Sequence, residues 1–148
     1  MNSKKSNGII ILLLSVLILS LLSCASTAPL PSTLNIVPPS KDLSKEIAAF
    51  SGIWEGKWMG WFDIALVVEK IDSQKADVIV SNGDNEGIVG AYYYHTGDVI
   101  ENPPSIEWIE PNGNKMIFIM DKGLNKINAY AIIKETGSKR SGYLNRKK

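Results

Sequence analysis

The chain contains one cysteine and one histidine, Cys24 and His95, and this limits the chemistry that its side chains can perform. A Ser-His-Asp arrangement would have to use His95, and no Gly-x-Ser-x-Gly sequence is present to expose a nucleophilic serine. Zinc sites need three or four histidine, cysteine or carboxylate ligands. We expect His95 to be an exposed residue at the end of a strand. The sequence therefore predicts no catalytic centre, no metal site and no cofactor.

Carboxylates offer a second route to catalysis or metal binding. Asp84, Asn85 and Glu86 could supply oxygen ligands from one loop, but they lack the Asp-x-Asp-x-Asp-Gly spacing of calcium loops. Glu107 and Glu110 are three residues apart in a predicted strand, which places them on opposite faces. This placement argues against a hydrolytic pair of carboxylates.

The N-terminus has the pattern of a secretory signal peptide. Lys4 and Lys5 precede an apolar run over 9–22, and Leu21-Leu22-Ser23 leads into Cys24. A charged start, an apolar region of roughly 10–14 residues and a small-residue cleavage site are typical of such peptides. Two alternatives remain open: an uncleaved membrane anchor, and a plain secretory peptide cut within 25–29.

Leu21-Leu22-Ser23-Cys24 resembles the lipobox of bacterial lipoproteins. The resemblance implies that the Cys24 thiol receives a diacylglyceryl group and becomes the new N-terminus. A lone free thiol is unusual outside the cytoplasm, and two or more acyl chains anchor a protein stably. The implied location is the cell envelope, outside the cytoplasm. In a host with two membranes, Ala25 resembles lipoproteins sent to the outer membrane; otherwise the protein would lie on the outer face of the cell membrane.

The sequence divides into a signal peptide over 1–23, a tether over 24–41 and one domain over 42–148. The tether is rich in serine, threonine, alanine and proline, a composition that favours extended polyproline-like chain. We expect it not to pack, and to hold the domain about 50 Å from the bilayer at roughly 3.1 Å per residue.

One short helix is predicted between the tether and the first strand. Ser40 or Asp42 would cap it, and Leu43, Ile47 and Phe50 would share one side. We expect this helix to close one end of the following domain.

From Gly52 onward apolar residues alternate with polar ones between short turns rich in glycine, asparagine, aspartate and proline. The hairpin-length loops leave no room for crossover helices, so the sheet is expected to be antiparallel. A meander of eight strands removes its edges by closing on itself. The sequence therefore predicts an all-β, eight-stranded antiparallel up-and-down barrel. The predicted strands are 52–62, 64–71, 76–81, 88–94, 105–110, 115–120, 127–134 and 140–146.

The charge of the chain argues against binding to nucleic acid. The 16 basic residues are spread out, and Arg140 and Arg146 are the only arginines. Loss of Lys4 and Lys5 with the signal peptide would change the formal net charge from +1 to −1. A nucleic-acid surface would instead be a basic patch.

Two functions remain open for the barrel. Its interior could bind one small apolar ligand, since eight strands leave room for little more. Alternatively, the interior is filled and the outer surface, including Tyr92-Tyr93-Tyr94, meets an envelope protein. The small size of the domain favours the second. The candidate ligand-lining residues are Trp58, Phe62, Tyr92, Tyr94, Trp108 and Phe118.

Gly52-Ile53-Trp54, after a short helix, resembles the Gly-x-Trp signature of lipocalins and related calycin barrels. The resemblance implies that an arginine of the last strand packs over the tryptophan and closes the barrel floor. Arg146 matches that arginine in order and spacing. Similar small domains occur beside extracytoplasmic hydrolases, which would give this chain an accessory role.

Overall fold

Eight antiparallel strands close into a barrel in the computed structural model, which describes residues 28–85 and 87–147. One short helix, α1 (Lys45–Ala48), precedes them. The predicted all-β barrel with one preceding helix is confirmed. The predicted signal peptide, the sequence that resembles a lipobox, and Cys24 lie outside the described residues. The strands are β1 (Gly52–Trp58), β2 (Phe62–Ile71), β3 (Lys75–Asn82), β4 (Ala91–Glu101), β5 (Pro104–Ile109), β6 (Lys115–Met120), β7 (Lys126–Ile132) and β8 (Lys139–Arg146).

The meander gives the barrel two different ends. Each strand pairs with its neighbours in sequence, and β1 pairs with β8 to close the sheet, with Trp54 opposite Arg146. The loops that follow β1, β3, β5 and β7 therefore lie at one end, which we call the open end. The other loops and α1 lie at the opposite end, which we call the closed end.

Ser44, and neither Ser40 nor Asp42, caps the helix. The Ser44 hydroxyl accepts a hydrogen bond from the Ile47 amide at 3.3 Å, as expected of an N-cap serine. Four residues of helix are enough to bury Ile47, and Phe50 just after it, under the barrel. The predicted cap was therefore wrong, and the predicted inward side of the helix is confirmed.

The core follows the alternation predicted from the sequence. Along β1 and β2, Trp54, Ile64 and Leu66 point inward and are at most 1% exposed. The inward residues of β6 and β7 lie in the same buried cluster. They are Met116, Phe118, Met120, Ile127 and Ala129, with Ala131 partly buried against them.

The fourth strand runs over Ala91–Glu101 and not over the predicted 88–94, because Gly97, a residue type common in turns, lies inside the strand. Gly97 lies in the middle of β4 and faces inward, where an added Cβ would stand 2.6 Å from Ile106 Cγ2. Glycine is needed there for close packing of β4 on β5, and not for a reversal of the chain. The strand therefore continues to Glu101, and Ile88 and Val89 belong to the preceding loop.

Residues 28–39, which we call the N-terminal strap, lie against the outside of the barrel. The Val37 amide donates to Glu69 O at 2.7 Å, and the Asn35 amide donates to Glu69 Oε1 at 2.6 Å. At its other end, Pro29 O accepts a hydrogen bond from Ser81 Oγ. The expectation of an unpacked spacer is therefore wrong for this part of the tether.

An apolar strip on the outer face of β2 and β3 explains why the strap packs. Val67 and Ile79 are paired neighbours that point away from the core, yet both are 0% exposed. Ala65 and Ser81 form the next pair and are equally buried. Outward apolar side chains need a cover, and the strap runs across them from Ser81 to Glu69.

Candidate functional site

Trp54, Arg146 and Gly52 come together at the closed end. The guanidinium carbon of Arg146 lies 4.2 Å from the centre of the Trp54 ring, which is a cation–π distance. Gly52 has a positive φ of 117°, and an added Cβ would stand 3.1 Å from Arg146 Nη1. A side chain at position 52 would therefore disturb this stacking.

The same arginine holds the helix against the barrel. Arg146 Nη1 donates to Ser51 O at 3.0 Å, and Nη2 donates to Ala49 O. Trp54 Nε1 donates to Phe50 O at 2.7 Å. Partial burial lowers the pKa of Arg146, although an arginine keeps its charge. These contacts close the barrel floor, and their role is structural.

A stack of rings crosses the interior above this floor. The ring centres of His95 and Trp108 are 5.1 Å apart, and those of Trp108 and Phe118 are also 5.1 Å apart. Trp58 meets Phe118 edge-on at 6.5 Å. Phe118 is 0% exposed and Trp108 is 6% exposed, so both fill the interior.

His95 is an interior residue, and the expectation of an exposed histidine at a strand end is wrong. It pairs with Val78 inside β4, so its side chain points inward and stacks on Trp108. Its Nε2 lies 3.6 Å from Glu110 Oε1, and Trp108 Nε1 donates to that same oxygen at 2.7 Å. The Glu110 carboxylate thus contacts both the His95 ring and the Trp108 ring.

A shallow cavity of about 270 Å³ remains above the stack at the open end. Trp58 and Phe62, two of the sequence candidates, line it together with Met116 and Ile133. Asn82 and Arg140 contribute polar edges. Ligand pockets usually measure about 300–1,000 Å³, so this cavity suits only a very small molecule or part of a larger one.

Tyr92 and Tyr94 do not line the interior. They pair with Ser81 and Ile79, which point outward, and they are 40% and 63% exposed. Their rings contact each other edge-on at 6.1 Å on the outer face of β4. Tyr93, opposite Val80, has the inward direction on β4, but it is 56% exposed because it borders an open groove.

Tyr93 lines a groove of about 630 Å³ between β4 and the loop after β5. The two strands pair from Asp98 opposite Glu107 to Glu101 opposite Pro104. Beyond Asp98, toward the open end, β4 is no longer paired with β5. Pro111 and Asn112 of the loop after β5 form the wall of the groove that faces β4.

Exposed apolar side chains gather on the loops of the open end. Met59 and Trp61 belong to the turn after β1, and Ile88 and Val89 belong to the loop after β3. Val89 is 83% exposed and Ile88 is 70% exposed. Because both loops were assigned to strands in part, the sequence prediction missed this group.

Residues 28–85 and 87–147 contain no cluster of three histidine, cysteine or acidic side chains able to hold a metal ion. The helix within these residues is too short to cross a membrane. Asp84, in the loop considered for calcium, accepts a hydrogen bond from the Gly90 amide at 2.6 Å.

Comparison with known proteins supports the fold. No family model matches the chain, and no curated protein matches it. Among solved structures, it is similar to a redesigned β-barrel, with a TM-score of 0.56 and 14% sequence identity. The match covers 72% of this chain and 98% of the redesigned one. At this identity the likeness shows an eight-stranded barrel fold and carries no information about function.

Proposed function

We propose that this chain is a lipid-anchored lipoprotein of the cell envelope whose lipocalin-like barrel is a non-enzymatic structural or protein-interaction module. The membrane anchor is the lipid on Cys24, within a sequence that resembles a lipobox. The stacking of Arg146 on Trp54 supports the resemblance to calycin barrels, where an arginine closes the floor in the same way.

The packed interior is the observation that favours an interaction module over a ligand-binding barrel. Ile64, Leu66 and Phe118 are at most 1% exposed, and the stack of His95, Trp108 and Phe118 crosses the barrel above them. A ligand deep in the interior would have to displace these side chains, at the cost of the apolar contacts they make. A function on the outer surface requires no such rearrangement.

The outer face of β4 is the surface that we assign to an envelope protein partner. Tyr92 and Tyr94 form an exposed aromatic pair there, and Ile109 on β5 is 63% exposed. Tyrosine is enriched at protein interfaces because it offers a large apolar ring with a hydrogen-bonding hydroxyl. Most of the neighbouring outer face of β2 and β3 is already covered by the strap.

Site-specific photo-cross-linking in the native host tests this assignment. A benzophenone amino acid at position 94 should give one discrete protein adduct, which the change Tyr92→Ser should weaken. Tyr143, which is 41% exposed on β8, is the matched control position and should give no adduct. Equal adducts from positions 94 and 143, or none from position 94, would contradict the assignment.

The anchor has its own test. Cys24→Ser should abolish the incorporation of labelled fatty acid and release the protein from the membrane fraction. A mutant that stays membrane-bound with residues 1–23 still attached would show an uncleaved N-terminal anchor instead.

The alternative is the binding of a small apolar ligand at the open end. It is favoured by the cavity of about 270 Å³, whose walls include Trp58, Phe62 and Met116. Arg140 at its edge would suit a ligand with a small anionic group.

A further inference from the structure

The strap leads the chain back to the open end of the barrel. Ala28, the first described residue, borders a small crevice with Glu55 and Asp63 on the outer side of β1 and β2. Asp63 is the second residue of β2, which begins at the open end with Phe62. The N-terminal part of the chain therefore approaches the barrel near its open end.

The length of the segment between Cys24 and Ala28 limits which end of the barrel can lie against the membrane that holds the lipid. From Cys24 to Ala28 there are four peptide steps, which span at most about 14 Å. From Asp63 to Ile71, at the closed end, β2 runs about 27 Å, or about 20 Å along the axis of a barrel with strands tilted by about 40°. A lipid on Cys24 would thus reach a bilayer at the open end and fall short of one at the closed end.

The two ends also differ in their exposed side chains. Met59 is 54% exposed and Trp61 is 66% exposed on the turn after β1, and Ile88 and Val89 on the loop after β3, at the same end, are 70% and 83% exposed. The closed-end loops 72–74, 102–103 and 121–125 have no exposed large apolar side chain in the described structure, and Ile36 and Val37 of the strap near that end are only 37% and 43% exposed. The apolar group also lies on the side of the barrel where Ala28 is found, because both involve β1, β2 and β3.

We propose that the open end faces the bilayer that holds the lipid of Cys24, with Met59, Trp61, Ile88 and Val89 in its interfacial layer. This orientation rests on the proposed lipidation. Tryptophan prefers the membrane interface, and an apolar surface gives a lipid anchor the second attachment that stabilises it. Lys57 and Asp63, which flank the turn, form an ion pair at 2.7 Å and bring no net charge toward the lipid.

The same orientation leaves the outer face of β4 free. With the open end toward the bilayer, the barrel axis points away from the membrane surface. The outer face of β4, with Tyr92 and Tyr94, is then on the side wall of the barrel. A protein partner on that face and a bilayer at the open end are compatible.

Fluorescence quenching by labelled lipids tests the orientation on the full, lipid-modified chain in phosphatidylcholine vesicles. An NBD label is placed on Val89→Cys at the open end, or on Lys122→Cys in an exposed closed-end loop. Doxyl-phosphatidylcholine should quench the label at position 89 about threefold more than that at position 122. Equal quenching, or stronger quenching at position 122, would overturn the orientation.

A second pair of variants tests the apolar side chains directly. In the Val89→Cys protein, the double change Met59→Ser and Trp61→Ser should reduce the quenching about twofold, because it removes most of the apolar surface of one loop. Ile100→Ser, on the outer face of β4 near the closed end, should leave the quenching unchanged. Unchanged quenching in the double variant would show that these side chains do not enter the interface.

The chain without an added cysteine separates this inference from the proposed function. Its thiol is consumed by the lipid, so it should take no label and should float with the vesicles. A chain that takes the label at Cys24 and does not float is not a lipoprotein, and the orientation fails with it. A chain that floats unlabelled while position 89 stays unquenched is a lipoprotein with a different orientation.

Discussion

Arg146 lies over Trp54 with 4.2 Å between the guanidinium carbon and the ring centre, although 91 residues separate them in the sequence. The two residues are also direct partners where β1 meets β8. This one contact therefore joins the first strand, the last strand and, through Ala49 O and Ser51 O, the segment after the helix.

Loss of either partner should destabilise the domain. Trp54→Ala removes a fully buried ring and should cost about 3–5 kcal/mol in the free energy of unfolding. Arg146→Ala should cost less, about 1–2 kcal/mol, because the arginine is partly solvated. Urea unfolding of both single variants and the double variant should show that the double change costs less than the sum. Full additivity would mean that the two side chains do not stabilise each other.

Gly56 should not tolerate a side chain. An added Cβ would stand 1.7 Å from Tyr143 O across the closure between β1 and β8, and backbone cannot move aside cheaply. Gly56→Ala should therefore cost about 3 kcal/mol or prevent folding. Gly123→Ala is the control, since its Cβ would come no closer than 3.3 Å to a flexible side chain. Equal thermal midpoints for the two variants would argue against this strand pairing.

Removal of the N-terminal strap should expose the apolar strip on the outer face of β2 and β3, which contains Val67 and Ile79. Deletion of residues 28–37 should lower the free energy of unfolding by roughly 3 kcal/mol, as expected for exposing roughly 120 Å² of apolar surface. It should also increase the binding of an apolar dye such as ANS. Deletion of residues 25–27 serves as the control and should change neither measurement. Unchanged dye binding after the longer deletion would show that the strap does not cover the strip.

Titration with apolar ligands distinguishes the two functions. For a packed interior, we expect long-chain fatty acids and retinoid-like probes to give no saturable change in tryptophan fluorescence. A saturable change that disappears in Trp58→Ala but persists in Trp61→Phe would instead favour ligand binding in the cavity that Trp58 lines.

Asp72 should make a pH-dependent contribution to stability. The amides of Gln74 and Lys75 donate to its Oδ1 at 2.7 and 2.8 Å and hold the pKa of this carboxyl below its ordinary value. Because the pKa is lower in the folded state, the contribution is present above about pH 4 and is lost as the pH falls through the folded pKa. Asp72→Asn keeps an acceptor oxygen but no charge.

Thermal unfolding of Asp72→Asn and of the unchanged chain at pH 7 and at pH 2.5 measures this contribution. The variant should melt earlier at pH 7, and the difference should shrink in acid. A constant difference at both values would assign the effect to the shape of the turn and not to the charge.

Much of the fold could be predicted because it depends on local signals. The alternation through Ile64, Leu66 and Val68 identifies an inward face without knowledge of the strand partners, and the turn at Asn112-Gly113 ends a strand wherever it lies. The site was harder to predict. Tyr92 and Tyr94 are predicted to line the interior, whereas the register of β4 turns both outward and gives the inward direction to Tyr93, which is still 56% exposed. A shift by one residue reverses the face of every side chain in a strand.

The sequence by itself determined the antiparallel meander and the expected closure of the barrel, because alternation and turn residues act over short distances. The pairing of Trp54 with Arg146 was predicted only through the resemblance of Gly52-Ile53-Trp54 to calycin barrels. Only the tertiary structure decided the environment of Gly97, His95 and the strap. Gly97 is required by the approach of Ile106, His95 is inward because β4 continues past it, and the strap packs because Val67 and Ile79 need a cover. Each of these depends on side chains that are distant in sequence and meet only when the barrel closes.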